Sequence, residues 1–200
     1  MSAVAIKTEI TPEELLRMPD EKDYELVDGE LVERKTGSLS SWIGGEVLFL
    51  LRQFLQVHPL GWVFGADNGY FCFPRNPNKL RRPDGSFVRH GRLPGDKPPA
   101  GYTRIAPDLV VEVVSPNDLA YEIDEKVLDF LGAGVPLVWV VNPDSRVIHI
   151  YRVDGSVGLL RETDELSGED VLPGFHCKVN SIFPPPTADV ASTSEDVPTA

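Results

Sequence analysis

The sequence predicts an α/β (α+β) fold in which a mixed β-sheet is flanked by helices. Two short apolar runs, residues 108–115 (DLVVEVVS) and 137–141 (LVWVV), are rich in β-branched residues and predict strands buried on both faces. Two longer segments, residues 40–57 and 119–133, carry apolar residues at helical spacing. Because these helices alternate with strands along the chain, we expect one sheet with helices packed against it.

The first predicted elements are a short helix and a hairpin. Thr11 is a suitable N-cap, and Pro12 follows at the first helical position with acidic residues behind it. Residues 24–33 form two alternating runs around Asp28 and Gly29, a dipeptide that favours a tight turn between antiparallel strands. A helix after Thr11 and a hairpin over residues 24–33 are therefore expected.

The segment 40–57 is the best amphipathic helix in the chain. Its adjacent glycines, Gly44 and Gly45, mark either a weak point or a site of close packing. Strands are then expected over residues 62–73 and 86–89, followed by a loop rich in proline and glycine over residues 91–102.

The second half of the chain carries the elements expected at the centre of the fold. The helix over residues 119–133 ends at the stop signals Gly132 and Gly134. Turn-forming residues at 142–145 separate the buried strand 137–141 from a more exposed, alternating strand over residues 147–153.

The composition indicates one soluble globular domain followed by a tail. Of 200 residues, 42% are hydrophobic and 25% are charged, which excludes collagen, coiled coils and wholesale disorder. Residues 1–183 are expected to form the domain, and residues 184–200, rich in proline, serine, threonine and alanine, a disordered tail. Since the pattern contains no targeting signal and no membrane-spanning stretch, we expect a protein that is neither exported nor bound to a membrane.

The number of cysteines and the net charge exclude several classes of protein. Cys72 and Cys177 are far apart in sequence, which excludes a disulfide framework and a four-cysteine zinc site and favours a reducing, cytoplasmic location. A net charge of −12 excludes a uniformly basic surface for nucleic acid. Yet eight of the 19 basic residues lie within residues 75–104, where only Asp84 and Asp96 are acidic. That segment is interpreted either as a face for a polyanion or as a solvated loop.

Glu112 is the strongest candidate functional residue, because it interrupts the apolar run LVVEVV. A buried carboxylate without a partner costs several kcal/mol or is held neutral, so Glu112 should face a cation, a metal ion or a shared proton. The alternative is an edge strand on which Glu112 faces water. Asp108 shares its strand face, but four residues of strand separate the two by about 13 Å, too far to hold one metal ion unaided.

Asp84 and Lys126 are the further candidates. Asp84 follows a proline just before a predicted strand, although this pair is also common in ordinary turns. Lys126 lies three residues after Ile123 and four before Phe130, so it belongs to the apolar stripe of its helix. Its side chain either extends along the protein to water or pairs with Glu112, because the turn after that strand returns the helix over it.

Other chemistries find no support in the sequence. It contains no dinucleotide-binding fingerprint, no glycine-rich phosphate loop and no Gly-x-Ser-x-Gly nucleophile elbow. Its four histidines, at positions 58, 90, 149 and 176, lack the spacing of metal ligands. Each is interpreted as a surface or packing residue.

Six short segments, taken in order, resemble the Uma-type restriction endonucleases, a family of the PD-(D/E)XK nuclease superfamily. They are residues 24–31 (YELVDGEL), 82–84 (RPD), 107–116 (PDLVVEVVSP), 124–126 (DEK), 133–136 (AGVP) and 139–143 (WVVNP). The resemblance spans residues 10–183. It implies a restriction-endonuclease-like mixed sheet flanked by helices, and a nuclease site that uses a divalent metal ion.

The resemblance also implies roles for individual residues. Asp84 would be the motif aspartate and Glu112 the second acid, and both would be ligands of Mg²⁺ (or Mn²⁺). The usual pattern places a lysine two residues after that acid, where this chain has Val114. The resemblance suggests that the lysine has moved to the following helix, as Lys126.

Some relatives use a further acid, which here would be Glu30 or Glu46. Glu30 is favoured as the additional catalytic residue because it lies in the family-like hairpin. Relatives also carry a histidine at the start of the long helix. The matching residues 38–42 (SLSSW) have none, so no role is assigned to that position.

Three hypotheses remain for the function. The first is a Mg²⁺-dependent endonuclease that hydrolyses DNA phosphodiester bonds in the cytoplasm, as a homodimer whose two-fold symmetry suits the cutting of both strands. The second is a catalytically inactive nuclease-fold domain with a binding or regulatory role, which the net charge of −12 favours. The third is a structural domain in which Glu112 and Lys126 form only a buried ion pair.

Overall fold

A computed structural model of the protein describes residues 10–35 and 37–185. The chain folds in the order α1 (Pro12–Leu15), β1 (Tyr24–Val27), β2 (Glu30–Glu33), α2 (Ser38–Val57), β3 (Gly61–Gly65), β4 (Gly85–Arg89), β5 (Leu109–Val113), α3 (Ala120–Gly132), β6 (Leu137–Asn142), β7 (Val147–Arg152), β8 (Val157–Leu160), β9 (Glu165–Ser167) and β10 (His176–Lys178). Within this described part of the chain, no helix combines the length and the apolarity needed to cross a bilayer. The tail predicted over residues 184–200 lies outside the described residues from position 186 onward.

Six strands form one mixed sheet in the order β3-β4-β5-β6-β7-β8. β5 and β6 are parallel and joined by α3, and every other neighbouring pair in this sheet is antiparallel. β5 lies inside the sheet with all of its residues buried, as its β-branched run predicts. β1 pairs with β2, and β9 with β10, in two small sheets. The predicted fold class, a mixed sheet with helices against it, is confirmed.

The two long helices cover opposite faces of the sheet. α2 contributes to the core that contains Val111 and Val113, whereas α3 contributes to the core that contains Val110. Because side chains alternate along a strand, Glu112 points to the same face as Val110, beneath α3. The alternation therefore places the lone acid of β5 under the helix that carries Lys126.

The hairpin of β1 and β2 is tied to the rest of the fold through Leu26. The backbone N–H of Leu26 donates to the carbonyl of Leu80 at 2.9 Å, and the N–H of Leu80 donates back at 2.8 Å. Asp28 and Gly29 have positive φ angles of 51° and 81°, as a tight hairpin turn requires. The predicted hairpin over residues 24–33 is confirmed, and its docking brings β1 beside the segment that leads into β4.

The strand predicted over residues 62–73 is shorter than expected. β3 ends at Gly65, because the following residues 66–69 (ADNG) favour a turn. Beyond them, Tyr70 makes only isolated bridges, to Arg81 and Thr103. The strands β8, β9 and β10 were not predicted, since runs of three or four residues are too short to show a period.

Candidate active site

Strand pairing sets Asp84 beside Glu112. β4 and β5 pair in an antiparallel register that, continued by one residue, places Asp84 opposite Glu112. The Val113 N–H donates to Asp84 Oδ2 at 2.8 Å, which fixes the aspartate at the end of β5. Burial raises the pKa of Asp84, while this hydrogen bond and the charge of Lys126 act in the opposite direction. Two acids that are distant in sequence thus meet at the centre of the sheet.

Glu112 is buried with one carboxylate oxygen unsatisfied. The residue is 3% exposed, and its Oε2 lies 3.5 Å from Lys126 Nζ. Its Oε1 has no hydrogen-bond partner among the described residues. Burial raises the pKa of Glu112 to about 8, the Lys126 ammonium opposes this change, and the carboxylates of Asp84 and Glu25 add to it. The alternative of an edge strand with Glu112 in water is excluded, because β5 is an internal strand.

Lys126 lies between two carboxylates. Its Nζ is 3.5 Å from Glu112 Oε2 and 3.5 Å from Glu25 Oε1. Burial by itself lowers the pKa of Lys126, but Glu112, Glu25 and Asp84 outweigh burial and hold the pKa above its ordinary value. Lys126 is therefore an ammonium ion directed at the acids, and the alternative of a side chain extended into water does not apply.

Asp84, Glu112 and Lys126 form a cluster of charged residues. Glu25 in β1 also belongs to this cluster, and sequence reasoning missed it. Its buried Oε1 accepts the backbone N–H of Arg82 at 2.8 Å, and its Oε2 accepts from Arg81 Nη1 at 3.1 Å. Burial raises the pKa of Glu25, yet Lys126 and Arg81 more than offset it and hold the pKa below its ordinary value. An alternating hairpin normally turns its polar residues to water, so periodicity carried no sign of this burial. Its place in the family-like segment 24–31 was the available hint.

The structure places Glu25, which lies in the same hairpin as the expected Glu30, 3.5 Å from Lys126. Glu30 begins β2 and is exposed, on the same face of the hairpin as Glu25 but next to the turn. Glu30 pairs with Val27 beside the turn of the hairpin. Glu25 lies two residues further from that turn, where the hairpin approaches α3. Glu46, the other acid considered, is half-buried on α2.

Two cavities open onto the cluster from different sides. A cavity of about 470 Å³ lies against the first turns of α2, and Asp84 forms part of its wall. A smaller cavity of about 170 Å³, between the hairpin and α3, is lined by Glu25 and Lys126. Arg34 and Lys35 line both cavities. The larger cavity therefore gives access to Asp84, and the smaller one to Lys126.

α2 approaches the site at Gly44. A Cβ at this position would lie 3.9 Å from Asp84 Cβ and 4.0 Å from Val113 Cγ2, whereas nothing lies within 4 Å of one at Gly45. Of the two glycines noted in the sequence, Gly44 is thus the one at a packing contact. A side chain longer than alanine there would press on the aspartate.

A family model described as "Putative restriction endonuclease", Uma2, matches residues 12–180. The protein belongs to the Uma2 family. A crystal structure from Anabaena variabilis ATCC 29413, described as a putative nuclease belonging to DUF820, shares its fold with a TM-score of 0.74 at 18% sequence identity, over 87% of this chain and 97% of that one. No protein of curated function matches the sequence. The Uma-type resemblance is confirmed, and membership of Uma2 supports a nuclease function.

The acids of this Uma2 protein fit a hard divalent cation. Among the described residues, no three histidine, cysteine or acidic side chains form a ready-made metal cluster. Mg²⁺, however, is usually held by one or two carboxylates with water completing its shell, and Asp84 and Glu112 meet that requirement. The unpartnered Oε1 of Glu112 is free to accept such a ligand. Three carboxylates also surround Lys126, so an added positive charge would be favourable.

Most basic residues of the segment 75–104 in this Uma2 protein are paired with acids of the same chain. Asp108 lies at the far end of β5 from Glu112 and binds two of these basic residues. It accepts the Arg89 N–H at 2.8 Å and pairs with Arg92 at 2.7 Å. Six of the eight basic residues in the segment have carboxylate partners within the protein: Lys79, Arg81, Arg82, Arg89, Arg92 and Arg104. Most of this positive charge therefore already faces a carboxylate of the same chain.

Proposed function

We propose that this Uma2 protein is a metal-dependent endonuclease that hydrolyses phosphodiester bonds in DNA. The observation that carries the proposal is the environment of Glu112, which is buried opposite Asp84, lies 3.5 Å from Lys126, and has one oxygen without a hydrogen-bond partner among the described residues. A buried carboxylate oxygen without a hydrogen-bond partner lowers the stability of the fold. A ligand bound to that oxygen would offset this cost and would explain why the acid is present. The family's description as restriction endonucleases points to the same chemistry.

Each residue has a defined part in the proposed reaction. Asp84 and Glu112 would hold the ion, Mg²⁺ or Mn²⁺, with water in its remaining positions. When bound, such an ion supplies Lewis-acid chemistry, which activates water and neutralises charge on a phosphate. Lys126 presents a fixed positive charge beside the two acids and stabilises the negative charge that develops in the transition state. The Val113 N–H keeps Asp84 in place throughout.

DNA is the proposed substrate on two grounds. The family model is described as "Putative restriction endonuclease", and the substrate of restriction endonucleases is DNA. In addition, Arg34 and Lys35 line the cavity that opens onto Asp84; Lys35 is paired with Glu122, and Arg34 can contact phosphate oxygens there. A strand of nucleic acid would enter by this larger cavity, because Asp84, an acid of the proposed metal site, forms part of its wall.

The test is cleavage of supercoiled and linear DNA by purified protein, with and without Mg²⁺ or Mn²⁺. The wild-type protein should cut only with the metal ion. Glu112→Gln should lower the rate by more than about 100-fold, since even outer partners of a metal site cost about 10- to 100-fold. Glu162→Gln, which removes an acid from a distant surface pair with Arg146, should cut at the wild-type rate. A folded wild-type protein that leaves DNA intact with every metal tested contradicts the proposal.

A second candidate, a nuclease-fold module that binds or regulates without cleavage, is favoured by the charge distribution. The net charge is −12, and the internal pairing of the basic segment limits the positive surface available to DNA. Under this candidate, the Glu112→Gln variant would retain the binding or regulatory function, and DNA would stay uncut with every metal ion. The cleavage assay therefore separates the two proposals.

The homodimer and the cytoplasmic location stay proposals that rest on sequence-level arguments. Two copies related by a two-fold axis would place two cluster sites against the two strands of a duplex. A reducing compartment is compatible with Cys72 and Cys177, both of which are free thiols in the structure.

A further inference from the structure

We propose that Glu25 is a positioning residue of the active site, which holds Lys126 against Glu112 and also anchors the segment that carries Asp84. The catalytic consequence of this role rests on the proposed nuclease function, while the role itself rests on contacts. Glu25 touches neither Asp84 nor Glu112 through any bond in the structure described above, so it would act through Lys126 and through the backbone.

The two carboxylate oxygens of Glu25 serve different partners. Oε1 accepts the Arg82 N–H at 2.8 Å and lies 3.5 Å from Lys126 Nζ. Oε2 accepts from Arg81 Nη1 at 3.1 Å. Because Arg82 is two residues before Asp84, the hydrogen bond at Oε1 fixes the backbone where the chain enters β4. One side chain thus connects the aspartate segment with the ammonium group.

Arg81 binds Glu25 through the second carboxylate oxygen, Oε2. The Arg81 guanidinium is buried, and it donates from Nε to Asp129 Oδ2 at 2.8 Å and from Nη2 to Glu125 Oε1 at 2.9 Å. Both of these acids belong to α3, the helix that also carries Lys126. Glu25 is therefore fixed relative to α3 by two independent connections, which is the property that a positioning residue requires.

Without Glu25, Lys126 would keep a single carboxylate partner at 3.5 Å, that of Glu112. A lysine side chain has four rotatable bonds and gains considerable entropy when it is released. Lys126 is 23% exposed and lines the 170 Å³ cavity, so space into which it can turn lies next to it. The expected result of losing Glu25 is an ammonium group that spends part of its time away from the acids.

The first experiment is a double-mutant cycle on DNA cleavage with Glu25→Gln, Lys126→Met and the double variant. Glu25→Gln should lower kcat by about 10- to 100-fold with little change in KM, because it acts on the chemistry and not on DNA binding. The double variant should be no slower than Lys126→Met alone, because the glutamine oxygen can still accept the Arg82 N–H, so that Glu25→Gln removes only the contact with the lysine. Effects that multiply across the double variant, or a Glu25→Gln protein with wild-type kcat, would overturn the role.

The second experiment does not depend on cleavage. An ammonium group held between carboxylates exchanges slowly with water, so protein labelled with ¹⁵N-lysine should give a resolved Lys126 signal, assigned by its loss in Lys126→Met. Glu25→Gln should broaden that signal beyond detection, and the control Glu162→Gln should leave it unchanged. A signal that is indifferent to Glu25→Gln rejects the positioning role, whatever the activity. A signal that depends on Glu25 in a protein that cuts no DNA keeps the positioning role and rejects the nuclease.

Glu25→Asp keeps both experiments decisive if Glu25→Gln fails to fold. This variant retains the negative charge that faces Arg81 but withdraws the carboxylate by one carbon–carbon bond, about 1.5 Å. We expect a folded protein with a smaller loss of kcat than the glutamine variant and a weakened Lys126 signal. Wild-type values for both measurements would count against Glu25.

Discussion

Glu112 couples the free energy of unfolding to pH. Its pKa is about 8 in the folded protein, compared with an ordinary value of 4.5. Between these two pH values the folded state keeps a proton that the unfolded state has lost, so the free energy of unfolding decreases as pH rises. Below pH 4.5 both states bind the proton, and Glu112 contributes no pH dependence.

Glu112→Gln should therefore stabilise the metal-free protein at neutral pH. The glutamine imitates the protonated acid, so we expect a gain on the order of 1–3 kcal/mol at pH 7 that disappears towards pH 4.5. Urea unfolding in the presence of EDTA, at a series of pH values, measures the difference from wild type. Glu162→Gln supplies the baseline for an acid outside the cluster. A stability difference that stays constant from pH 4.5 to pH 8 would argue against a raised Glu112 pKa.

The residues of the cluster differ in how visible they are in the sequence. Glu112 and Lys126 could be predicted because each one breaks a local pattern, an apolar strand or an apolar helix stripe. Asp84 was recognisable from its proline and from the family resemblance. Glu25 could not be predicted, since its burial comes from Arg81 and α3, which are distant in sequence and contact it only in the folded protein.

Among the elements, those with local signals were predicted well. The hairpin followed from Asp28 and Gly29, and α2 and α3 from their apolar spacing. The register between β4 and β5 could not be predicted, because no local sequence feature of either strand specifies which residues of the other strand it pairs with. That register is nevertheless what sets Asp84 opposite Glu112, so the meeting of the two acids was expected from the family resemblance and not from any local pattern.

The contact between α2 and β5 can be tested through its glycines. Gly44→Leu should lower the affinity for Mg²⁺ by about tenfold or more, because the new side chain would displace Asp84, whose Cβ lies 3.9 Å from the position of a Cβ at residue 44. Gly45→Leu, one residue along the same helix with open space around it, is the matched control and should bind Mg²⁺ as the wild type does. Isothermal titration calorimetry measures both. Equal affinities for the two leucine variants would show that α2 does not constrain the aspartate.

For the whole molecule, the distribution of charge determines how DNA binding should respond to salt. Most basic residues of the segment 75–104 are paired internally, and the net charge is −12, so few cations are left for phosphates. The slope of log K against log salt concentration should then be shallow, about −1 to −3, since each phosphate contact contributes about −0.9. Fluorescence anisotropy with labelled DNA, in Ca²⁺ in place of Mg²⁺, gives this slope. A value near −6 would mean that the internal ion pairs open when DNA binds.

The parallel pairing of β5 and β6 has a consequence for evolution. Two parallel neighbours need a crossing element, and α3 is that element; Lys126, near its middle, lies 3.5 Å from Glu112 of β5. A lysine placed on α3 instead of β5 can therefore still reach the carboxylate of Glu112, as Lys126 does. A sequence motif that requires a lysine two positions after the acid would not match this protein, because Val114 occupies that position after Glu112. Lys126 nevertheless lies 3.5 Å from the Glu112 carboxylate.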